Sequence, residues 1–410
     1  MPVDCDARLS AALRQVVQAG EARIGVAVSG GSDSLALLHL CHGLGLACHA
    51  VTVDHALRAG SAAEAAQVAA ICAGLGVPHQ ILRWDHGAIV GNLQDQARRA
   101  RYALLADWAR GLGLARVMIG HTADDQAETF LMGLTRAAGL DGLSGMRPSW
   151  VEAGVVFQRP LLGQTRADLR AYLTRAGVVW IDDPSNDNDR FARVRARQVL
   201  AVLQPLGLGV AQMSESIAHL ASAQQALQAV TLAAWEACGQ VVAGAVQLRL
   251  SGFAAQPVEI QRRLLLAVLG WYSGGDYAPR AQKMATLAEA IRQGADATLN
   301  GCCFRTTSDG LQIYREPHAV KNLCVATSDI WDNRWQMIGP HAPDLSLRAL
   351  GAEGLAQLPN WRGLAIPRQA LLVCPAIWRK DALIAAPSAG FLNGWQAKLV
   401  RSVNQSILSH

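Results

Sequence analysis

A short run of glycine and serine is the first stretch of this sequence whose residue types suggest chemistry. It consists of six consecutive residues, Ser29, Gly30, Gly31, Ser32, Asp33 and Ser34. The two glycines allow a sharp turn and a close approach of the backbone to a ligand, and the serines add hydroxyl donors. If a helix starts here, its free N–H groups and positive dipole end complete an anion site. We therefore predict that this loop binds a pyrophosphate group.

The alternative is a glycine turn in which serine merely caps a helix. No lysine follows the glycines, so the loop is not the lysine-bearing nucleotide motif, and its glycine spacing differs from the dinucleotide fingerprint. The flanking elements favour phosphate binding, because an apolar strand is predicted before the loop and a helix after it.

Elements that could position this loop alternate along the first half of the chain. Strands are predicted at Ile24–Val28, Cys48–Val53, Gln80–Trp84 and Arg116–Ile119, and helices near Ser34–Gly43, Ala62–Leu75 and Leu93–Leu112. The alternation predicts an α/β fold, with a parallel, doubly wound, Rossmann-like sheet covered on both faces. Ligands of such sheets bind beyond the carboxyl ends of the strands, so the residues after each strand are the candidates for chemistry.

Polar residues follow two further predicted strands. Asp54 and His55 come after the second strand and form either a capped loop or a wall of a nucleotide pocket. His121 comes after the fourth strand and precedes an acidic cluster, which contains Asp124, Asp125, Gln126 and Glu128. On a helix the three carboxylates share one face, where like charges repel.

The acidic cluster has two interpretations. It is an acidic first turn that suits the helix dipole, with Asp124 as the cap, or it is a site for a cation. The cation would be Mg²⁺ on ATP phosphates or the amino group of a substrate, and spacing does not distinguish these. The position at the carboxyl edge of the sheet favours a functional site.

Arginines form two groups. Arg98 and Arg101 lie three residues apart on a predicted helix and are either solvated or point together into the cleft. The second group has an aromatic residue, Phe191, within it and no acidic residue, and it comprises Arg190, Arg193, Arg195 and Arg197. It is either a solvated basic face or a stripe that contacts nucleic-acid phosphates.

The second half of the chain has a different pattern. Helices are predicted at Gln212–Cys238, Val258–Tyr272 and Ala281–Gly294, followed by a hairpin over Ala297–Glu316 and by short strands that include Leu371–Val373 and Leu383–Ala385. We predict three domains: residues 1–208, a mostly helical domain over residues 209–322, and a small α+β region over residues 323–410.

Composition excludes several classes of protein. The 410 residues carry a net charge of +5, and the nine cysteines include no CxxC pair, which predicts reduced thiols and neither a zinc knuckle nor a disulfide framework. No apolar run is long enough to span a bilayer. The first residues include Asp4 and Asp6 where a secretory signal would be basic, which indicates a cytoplasmic protein.

Taken in order, these segments resemble the tRNA(Ile)-lysidine synthetases, a family of N-type ATP pyrophosphatases with a PP-loop. The resemblance covers roughly residues 20–200 and comprises residues 29–34, 53–58, 97–102, 121–129, 142–146, 159–162, 183–186 and 193–197. The Asp-Asp-Gln-Ala-Glu-Thr run and the Asp-Pro-Ser-Asn segment are its most specific parts. The chain departs from the family at Ala137, where glycine is frequent, and at Val194, where asparagine is frequent.

The resemblance implies an activity. The family uses ATP to adenylate the C2 oxygen of the wobble cytidine, position 34, of an isoleucine tRNA with a CAU anticodon. The amine of L-lysine then displaces AMP, so that lysidine, AMP and pyrophosphate are formed. For this chain the resemblance implies ATP bound by residues 29–34 with Asp54 and His55, and Mg²⁺ for which Asp33 is a possible ligand.

Roles for the remaining residues follow from the same resemblance. Asp33, Arg98 and His121 are the predicted catalytic residues, and the acidic cluster is expected to hold the incoming lysine. The predicted RNA contacts are Arg101 and the second arginine group, with the helical stretch at 211–295 gripping the tRNA.

Three other functions stay open at this point. A tRNA thiolase of the same ATP group would need paired cysteines, and an amidotransferase-type synthetase would need a nucleophilic cysteine at position 2; the chain has neither. A nucleotide-binding module without catalysis would not need His121 and the acidic cluster. The sequence also leaves the oligomeric state open, with a homodimer as one alternative.

Overall fold

The computed structural model describes residues 5–17, 23–57, 60–87, 91–181, 192–274, 279–308, 310–364 and 366–408. Several sequence predictions lie outside these residues, namely Arg58, the Asp-Pro-Ser-Asn segment at 183–186, Arg190, Phe191 and Asp309 at the hairpin turn. The chain forms two compact units, Met1–Gln224 and Gln225–His410. The three domains with boundaries at 208 and 322 stay a prediction.

The first unit alternates strands and helices as the sequence predicts. Its strands are β1 (Ile24–Ala27), β2 (Cys48–Asp54), β3 (His79–Arg83), β4 (Arg116–Ile119), β5 (Ser149–Glu152) and β6 (Val155–Gln158). Its helices are α1 (Cys5–Arg14), α2 (Ser32–Gly43), α3 (Ser61–Gly74), α4 (Leu93–Gly111), α5 (Ala123–Leu134), α6 (Leu140–Leu143), α7 (Arg166–Arg175) and α8 (Ala192–Leu203), and α9 (Val210–Cys238) begins in this unit.

The six strands form one sheet in the order β3-β2-β1-β4-β6-β5. All pairs are parallel except β5 with β6, an antiparallel pair at the edge that the sequence analysis missed. The order reverses between β1 and β4, and at such a switch point the loops after neighbouring strands diverge and open a crevice. The glycine–serine loop follows β1 and His121 follows β4, so both lie at this crevice.

Hydrophobic cores cover both faces of the sheet. One core packs side chains of α1, α2, α3 and α7 against the sheet, and the other packs α4 against the opposite face. Every residue of β1 and β4 is buried, because these central strands contact helices on both sides. This confirms the predicted doubly wound α/β class and gives the crevice a rigid floor.

The described residues of the second unit form three sheets. Its strands are β7 (Gly239–Val242), β8 (Ala245–Leu248), β9 (Ala297–Leu299), β10 (Cys302–Thr307), β11 (Gly310–Arg315), β12 (Cys324–Ala326), β13 (Trp335–Ile338), β14 (Ser346–Ala349), β15 (Pro375–Arg379), β16 (Ala382–Ala385) and β17 (Gln396–Leu399). Its helices are α10 (Leu250–Ala254), α11 (Val258–Ser273), α12 (Ala281–Arg292), α13 (Pro317–Val320), α14 (Gly351–Ala356), α15 (Arg368–Leu372) and α16 (Val403–Leu408).

The strand orders in this unit are β7-β8-β11-β10-β9, β12-β14-β15-β16 and β13-β17. The predicted hairpin is confirmed as β10 and β11, but the sequence analysis missed β7 and β8, two four-residue strands joined by a tight turn. The strand predicted at Leu371–Val373 was wrong. Leu371 and Leu372 are the last residues of α15, and the strand of that region starts at Pro375. All nine cysteines are free, and six are buried.

The N-terminal cap of α5 differs from expectation. The cap is Thr122 and not Asp124, because Thr122 and Asp125 form a reciprocal capping box. Ala137, where the family often has glycine, has a φ of 50°, so the chain turns there in a left-handed conformation that suits glycine better.

Across the described ranges, no helix has both the length and the apolar character needed to cross a lipid bilayer.

Candidate active site

The glycine–serine loop bridges the end of β1 and the first turn of α2. Gly31 caps the helix without a side-chain hydrogen bond, so Ser32, Asp33 and Ser34 are the first three helical residues, and their N–H groups have no partner within the helix. The loop is held by Ser34, whose hydroxyl accepts from Ser29 N at 3.1 Å and donates to Gly31 O at 3.0 Å. The result is a pre-formed anion cradle.

Glycine is needed at two positions of this cradle. Gly30 has a φ of 92°, and a Cβ there would lie 2.7 Å from Ile181 Cδ1. At Gly120, which directly follows β4, a Cβ would lie 2.8 Å from the carbonyl oxygen of Asp33. Only glycine therefore lets the end of β4 approach the first turn of α2, which places His121 beside the cradle.

We expect Gly30→Ala to lower the free energy of unfolding by about 1–2 kcal/mol and to weaken ATP binding. The cause is a left-handed backbone that must relax, together with a methyl group directed at Ile181. Chemical denaturation and nucleotide titration measure the two effects. The matched control is Gly31→Ala, because Gly31 has a φ of −70° and its nearest atom to a new Cβ is 3.8 Å away. Equal destabilisation by both variants would contradict this account.

The cradle opens into a cavity of about 1340 Å³. Drug-sized ligands fill roughly 300–1,000 Å³, so this cavity has room for a nucleotide and a second reactant. The sequence-predicted residues that line it are Ser29, Gly31, Ser32, Asp33, Ser34, Asp54, His55, Arg101, His121, Asp125 and Arg197. The structure therefore brings together residues from the ends of β1, β2 and β4 and from α4, α5 and α8.

The acidic cluster already has a cation in its midst, and it is Arg166, the first residue of α7. Its guanidinium donates to Asp33 Oδ2 at 3.0 Å, to Asp125 Oδ1 at 3.3 Å and to Glu128 Oε1 at 3.2 Å. Its backbone N–H donates to Asp124 Oδ2 at 2.7 Å. One arginine thus joins the anion cradle to all three carboxylates of the cluster and offsets their mutual repulsion.

The second arginine group is split by the helix that carries it. Arg197 donates from Nε to Glu128 Oε1 at 2.6 Å, and Arg193 Nη1 lies 3.7 Å from Asp125 Oδ1. Arg195 is exposed on another side of α8, and Arg190 lies outside the described residues. Two members therefore face the acidic cluster, which neutralises part of the basic stripe.

Burial and charge act in opposite directions on the site carboxylates. Burial raises the pKa of Asp33 above its ordinary value, in spite of the neighbouring Arg166. Burial is also the largest influence on Asp125 and raises its pKa, but Arg166, His121, Arg193 and a hydrogen bond from Thr122 N together outweigh it, so that the pKa of Asp125 is lowered. Glu128 is fully buried, and its Oε2 atom has no hydrogen-bond partner among the described residues, which leaves one strong acceptor unused at the centre of the cluster.

His121 is held by a residue that the sequence analysis did not assign to the site. Arg159, which follows β6, donates from Nε to His121 Nδ1 at 2.9 Å. Burial, opposed by Asp125 and reinforced by the nearby Arg159, Arg101 and Arg193, lowers the pKa of His121 to about 3. The imidazole is therefore neutral at physiological pH.

The remaining predicted residues lie at the rim or elsewhere. Asp54 accepts from Ala56 N at 2.9 Å, and this hydrogen bond lowers the pKa of Asp54. His55 lines the cavity, and its buried Nδ1 accepts or donates no hydrogen bond within the part of the chain that the structure describes. Arg101 lines the cavity, whereas Arg98 is exposed with its guanidinium 5.1 Å from the Tyr102 ring centroid. The two arginines do not point together into the cleft.

One other predicted residue, Gln126, has a structural contact. Gln126 accepts from Met146 N at 2.6 Å and so joins α5 to the segment before β5.

Among the residues that the structure describes, no group of three or more His, Cys, Asp and Glu side chains is arranged to hold a metal ion by itself. Mg²⁺ usually binds with one or two carboxylates, substrate phosphates and water, and Asp33 at the cradle fits that mode.

Sequence analysis missed Arg159, Arg166 and Arg170 as site residues. Arg170 lies one turn after Arg166, lines the cavity and donates to Ser32 Oγ at 3.4 Å. A signal was present, because Thr165 and Asp168 mark a helix start and the two arginines that follow at i and i+4 share one face. Nothing in the local sequence indicates that these arginines contact Asp33 and Ser32, which lie more than 130 residues earlier in the chain.

Comparisons with known proteins agree with this geometry. A family model described as "PP-loop domain" matches residues 4–203. The tRNA(Ile)-lysidine synthase of Ruegeria pomeroyi is 46% identical over 395 residues, which cover 95% of this chain and 94% of that protein. The proteins of the same name from Hyphomonas neptunium and Rhodopseudomonas palustris are 41% and 38% identical, and the matches cover 68% and 71% of this chain and 77% and 90% of those proteins.

These matches extend well beyond the phosphate-binding domain, since the first of them spans nearly the whole of both chains. They agree with the resemblance that the motifs of residues 20–200 carry, and they include the second unit, where motifs were weak. The chain belongs to the tRNA(Ile)-lysidine synthase family.

Proposed function

We propose that this protein is an ATP-dependent ligase that joins L-lysine to C2 of the wobble cytidine of an isoleucine tRNA. The observation that carries the proposal is the lysine-free anion cradle at the switch point of the sheet, joined through Arg166 to a buried acidic cluster. A cradle for pyrophosphate beside a site for a cationic amine is what adenylation followed by aminolysis requires. Family membership at 46% identity supports the same activity.

The cradle would bind the β and γ phosphates of ATP. Backbone N–H groups of the first turn of α2, the hydroxyls of Ser29 and Ser32, and the Arg170 guanidinium all lie at this end of the cavity. They would stabilise the negative charge that develops on the leaving pyrophosphate. Mg²⁺ held by Asp33 and the phosphates would supply further charge stabilisation. Asp54 and His55 would form the wall on the nucleoside side.

The reaction has two steps. In the first, the C2 oxygen of cytidine forms a bond to the α phosphorus, and the bond from that phosphorus to the pyrophosphate oxygen breaks. In the second, the lysine amine forms a bond to C2 and loses a proton, and the C2–O bond breaks so that AMP leaves with the oxygen. Adenylation is needed because a carbonyl oxygen is a poor leaving group.

The acidic cluster would hold the ammonium group of the lysine. Asp125 is ionised, and the unpaired Glu128 Oε2 offers an acceptor for an incoming N–H donor. Arg166, Arg193 and Arg197 already contact these carboxylates, so lysine must share the cluster with them or displace one of them. Arg193 and Arg197, with side-chain exposures of 42% and 33%, are the members with room to turn towards RNA phosphates.

The RNA contacts complete the proposal. The target base must leave its stack, which costs a few kcal/mol, and contacts of Arg101, Arg195 and Arg190 with RNA phosphates, together with helices of residues 211–295, would supply that free energy. The CAU anticodon would be the element that selects the isoleucine tRNA. A protein with such a substrate would act in the cytoplasm, and dimer formation is compatible with this activity.

A labelling experiment tests the function. The protein is incubated with ATP, Mg²⁺, radiolabelled lysine and bulk bacterial tRNA, and we expect label in the tRNA together with AMP release that depends on tRNA. Incorporation of sulfur from a sulfide donor would indicate a thiolase, and incorporation of ammonia an amidotransferase-type synthetase. ATP binding without turnover under any of these conditions would indicate a nucleotide-binding module.

Glu128→Gln separates the amine site from the adenylation site. We expect the KM for lysine to rise about tenfold or more, because one charge-assisted hydrogen bond is worth about 1.5–3 kcal/mol, while pyrophosphate release without lysine changes little. Steady-state kinetics with lysine as the varied substrate measure this, with the exposed Glu215→Gln as control. A variant whose two steps slow equally would count against lysine at this cluster.

A further inference from the structure

The contact between Arg159 and His121 carries an inference beyond the activity itself. His121 leaves the carboxyl end of β4, where its backbone N–H donates to Ile119 O at 3.0 Å, and its ring lines the cavity. Nδ1 faces Arg159. Nε2 makes no hydrogen bond to any described residue, and it is not among the buried polar atoms that lack a partner. Nε2 is therefore the nitrogen available to a bound substrate.

Arg159 is held rigidly enough to impose an orientation. The residue is only 5% exposed. Besides its hydrogen bond to His121, it donates from Nη1 to Arg147 O at 2.5 Å, and its guanidinium lies 4.1 Å from the centroid of the Trp150 ring. Trp150 is itself stacked on Phe157 with ring centroids 5.2 Å apart. The guanidinium is thus fixed by a backbone carbonyl and an aromatic face.

The chemistry of the two groups decides which imidazole nitrogen is protonated. An arginine side chain has only donors, so His121 Nδ1 must accept with its lone pair. A proton on Nδ1 would point at the Arg159 N–H and break the hydrogen bond. The neutral ring therefore has its proton on Nε2. Protonation of both nitrogens is disfavoured by burial and by Arg159, Arg101 and Arg193, and the Asp125 carboxylate opposes these effects without overcoming them.

We propose that Arg159 is a positioning residue that fixes His121 as a neutral Nε2–H donor, which donates a hydrogen bond to a non-bridging oxygen of the α phosphate. The proposal rests on the ATP-dependent adenylation described above. In that step negative charge grows on the oxygens of the α phosphorus, and a donor placed in advance stabilises it. The proton stays on Nε2 throughout. His121 is then no general base, since Nε2 has no lone pair to accept a proton.

NMR of the wild-type protein tests the tautomer without any activity measurement. Two-bond ¹H–¹⁵N spectra of the histidine-labelled protein distinguish the two neutral tautomers from the imidazolium, and the signal of His121 among the eleven histidines is identified by its loss in His121→Gln. We expect the neutral Nε2–H pattern from about pH 6 to about pH 8. An Nδ1–H pattern, or an imidazolium at pH 6, would overturn the proposal.

Nucleotide binding tests the donor role. Addition of a non-hydrolysable ATP analogue with Mg²⁺ is expected to shift the His121 Nε2–H resonance, and an unchanged resonance at saturation would overturn the contact with the phosphate. This result does not depend on tRNA or lysine. Failure of lysine transfer with the expected spectrum would therefore reject the proposed function and leave the positioning role intact.

Substitutions separate a donor from a base. The amide nitrogen of glutamine can replace Nε2, whereas asparagine reaches only as far as Nδ1. We expect His121→Gln to retain adenylation within about tenfold of wild type and His121→Asn to lose about 100-fold or more in kcat. If His121 were a base, both variants would be equally slow, which would contradict the proposal.

Arg159 variants complete the test. Arg159→Met is expected to lower kcat about 10- to 100-fold, with little change in the KM for ATP, and to give a mixture of His121 tautomers in the NMR spectrum. Arg159→Lys keeps a donor and should restore the Nε2–H tautomer and part of the rate. Arg110→Met, which removes an exposed arginine paired with Asp107, is the control. A single Nε2–H tautomer in Arg159→Met would show that Arg159 does not position His121.

Discussion

Asp33→Asn is expected to abolish tRNA-dependent pyrophosphate release, with a loss of about 10³-fold or more in kcat. The physical reason is the position of the Asp33 carboxylate at the N-terminus of α2, where the cradle collects phosphate anions. A carboxylate there repels phosphates unless a cation lies between them. Loss of a bound Mg²⁺ removes several kcal/mol of charge stabilisation in the transition state, and each 1.36 kcal/mol corresponds to a factor of ten.

The asparagine variant is informative because Asp33 has a second role. It accepts from Arg166 Nε at 3.0 Å, and an asparagine oxygen can still accept that hydrogen bond. We therefore expect Asp33→Ala to lose activity as well, but only Asp33→Asn to keep the thermal stability near wild type. ATP binding measured without Mg²⁺ should be tighter in Asp33→Asn, because the repulsion is gone.

Pyrophosphate release and nucleotide titration, each with and without Mg²⁺, check these expectations. The exposed Asp107→Asn serves as a control for the removal of a carboxylate in the same unit. Turnover of Asp33→Asn at the wild-type rate would remove Asp33 from the site and limit its role to holding Arg166.

Arg166→Met is expected to have the second largest effect, because it disrupts both activity and stability. The variant leaves Asp33, Asp125 and Glu128 without the cation they share, and removing one partner of a buried ion pair costs about 3–5 kcal/mol. We expect about 3 kcal/mol in the free energy of unfolding, since Arg193 and Arg197 still contact two of the carboxylates. Activity should fall because the acidic cluster and the cradle lose their connection.

The pH dependence of this loss follows from the direction of the pKa shifts. In the wild type the pKa of Asp125 lies below its unfolded value of 3.8, because Arg166, His121, Arg193 and the hydrogen bond from Thr122 N together outweigh burial. Asp125 therefore contributes stability at pH values above 3.8, and this stability is lost as the pH falls through the lower folded pKa. Without Arg166 we expect burial to dominate and to raise the pKa of Asp125. Protonation of Asp125 then removes an uncompensated buried charge, so the free energy of unfolding of the variant rises as the pH falls through that raised pKa.

The difference in unfolding free energy between wild type and Arg166→Met should consequently shrink as the pH falls from neutral through the raised pKa of Asp125 in the variant. Chemical denaturation at a series of pH values measures this. Arg175→Met is the matched control, because Arg175 is an exposed residue of the same helix, paired with Asp6. A difference that stays constant with pH would mean that Arg166 acts through packing and not through charge.

Much of the first unit could be predicted from sequence because its signals are local. The run from Ser29 to Ser34 lies between an apolar strand and a helix, and the pattern of apolar residues along the chain indicates both elements. The strand ends with His121 and with Asp54 were predicted in the same way. Short strands such as β7 and β8 were missed, because four-residue segments carry too little periodicity to stand out beside the long helix before them.

Local signals also misled at particular residues. Asp124 is a residue type that often caps helices, but Thr122 caps α5. The Thr122 hydroxyl accepts from Asp125 N, and the Asp125 carboxylate accepts from Thr122 N. Asp124 instead accepts from the backbone of Arg166. The arginines of α8 read as a basic stripe in the sequence. In the structure α5 packs beside α8, and Arg193 and Arg197 face Asp125 and Glu128 of α5.

The amino-acid sequence by itself determined the glycine–serine loop, the alternation of strands and helices around it and the polar residues that follow the strands, since each depends on neighbours in the chain. Only the tertiary structure decided which cation neutralises the acidic cluster and which group orients His121. Arg166 lies 133 residues from Asp33, and Arg159 lies 38 residues from His121. These contacts depend on the packing of α7 against the sheet and on the pairing of β6 with β4. No periodicity or spacing in the sequence indicates either arrangement.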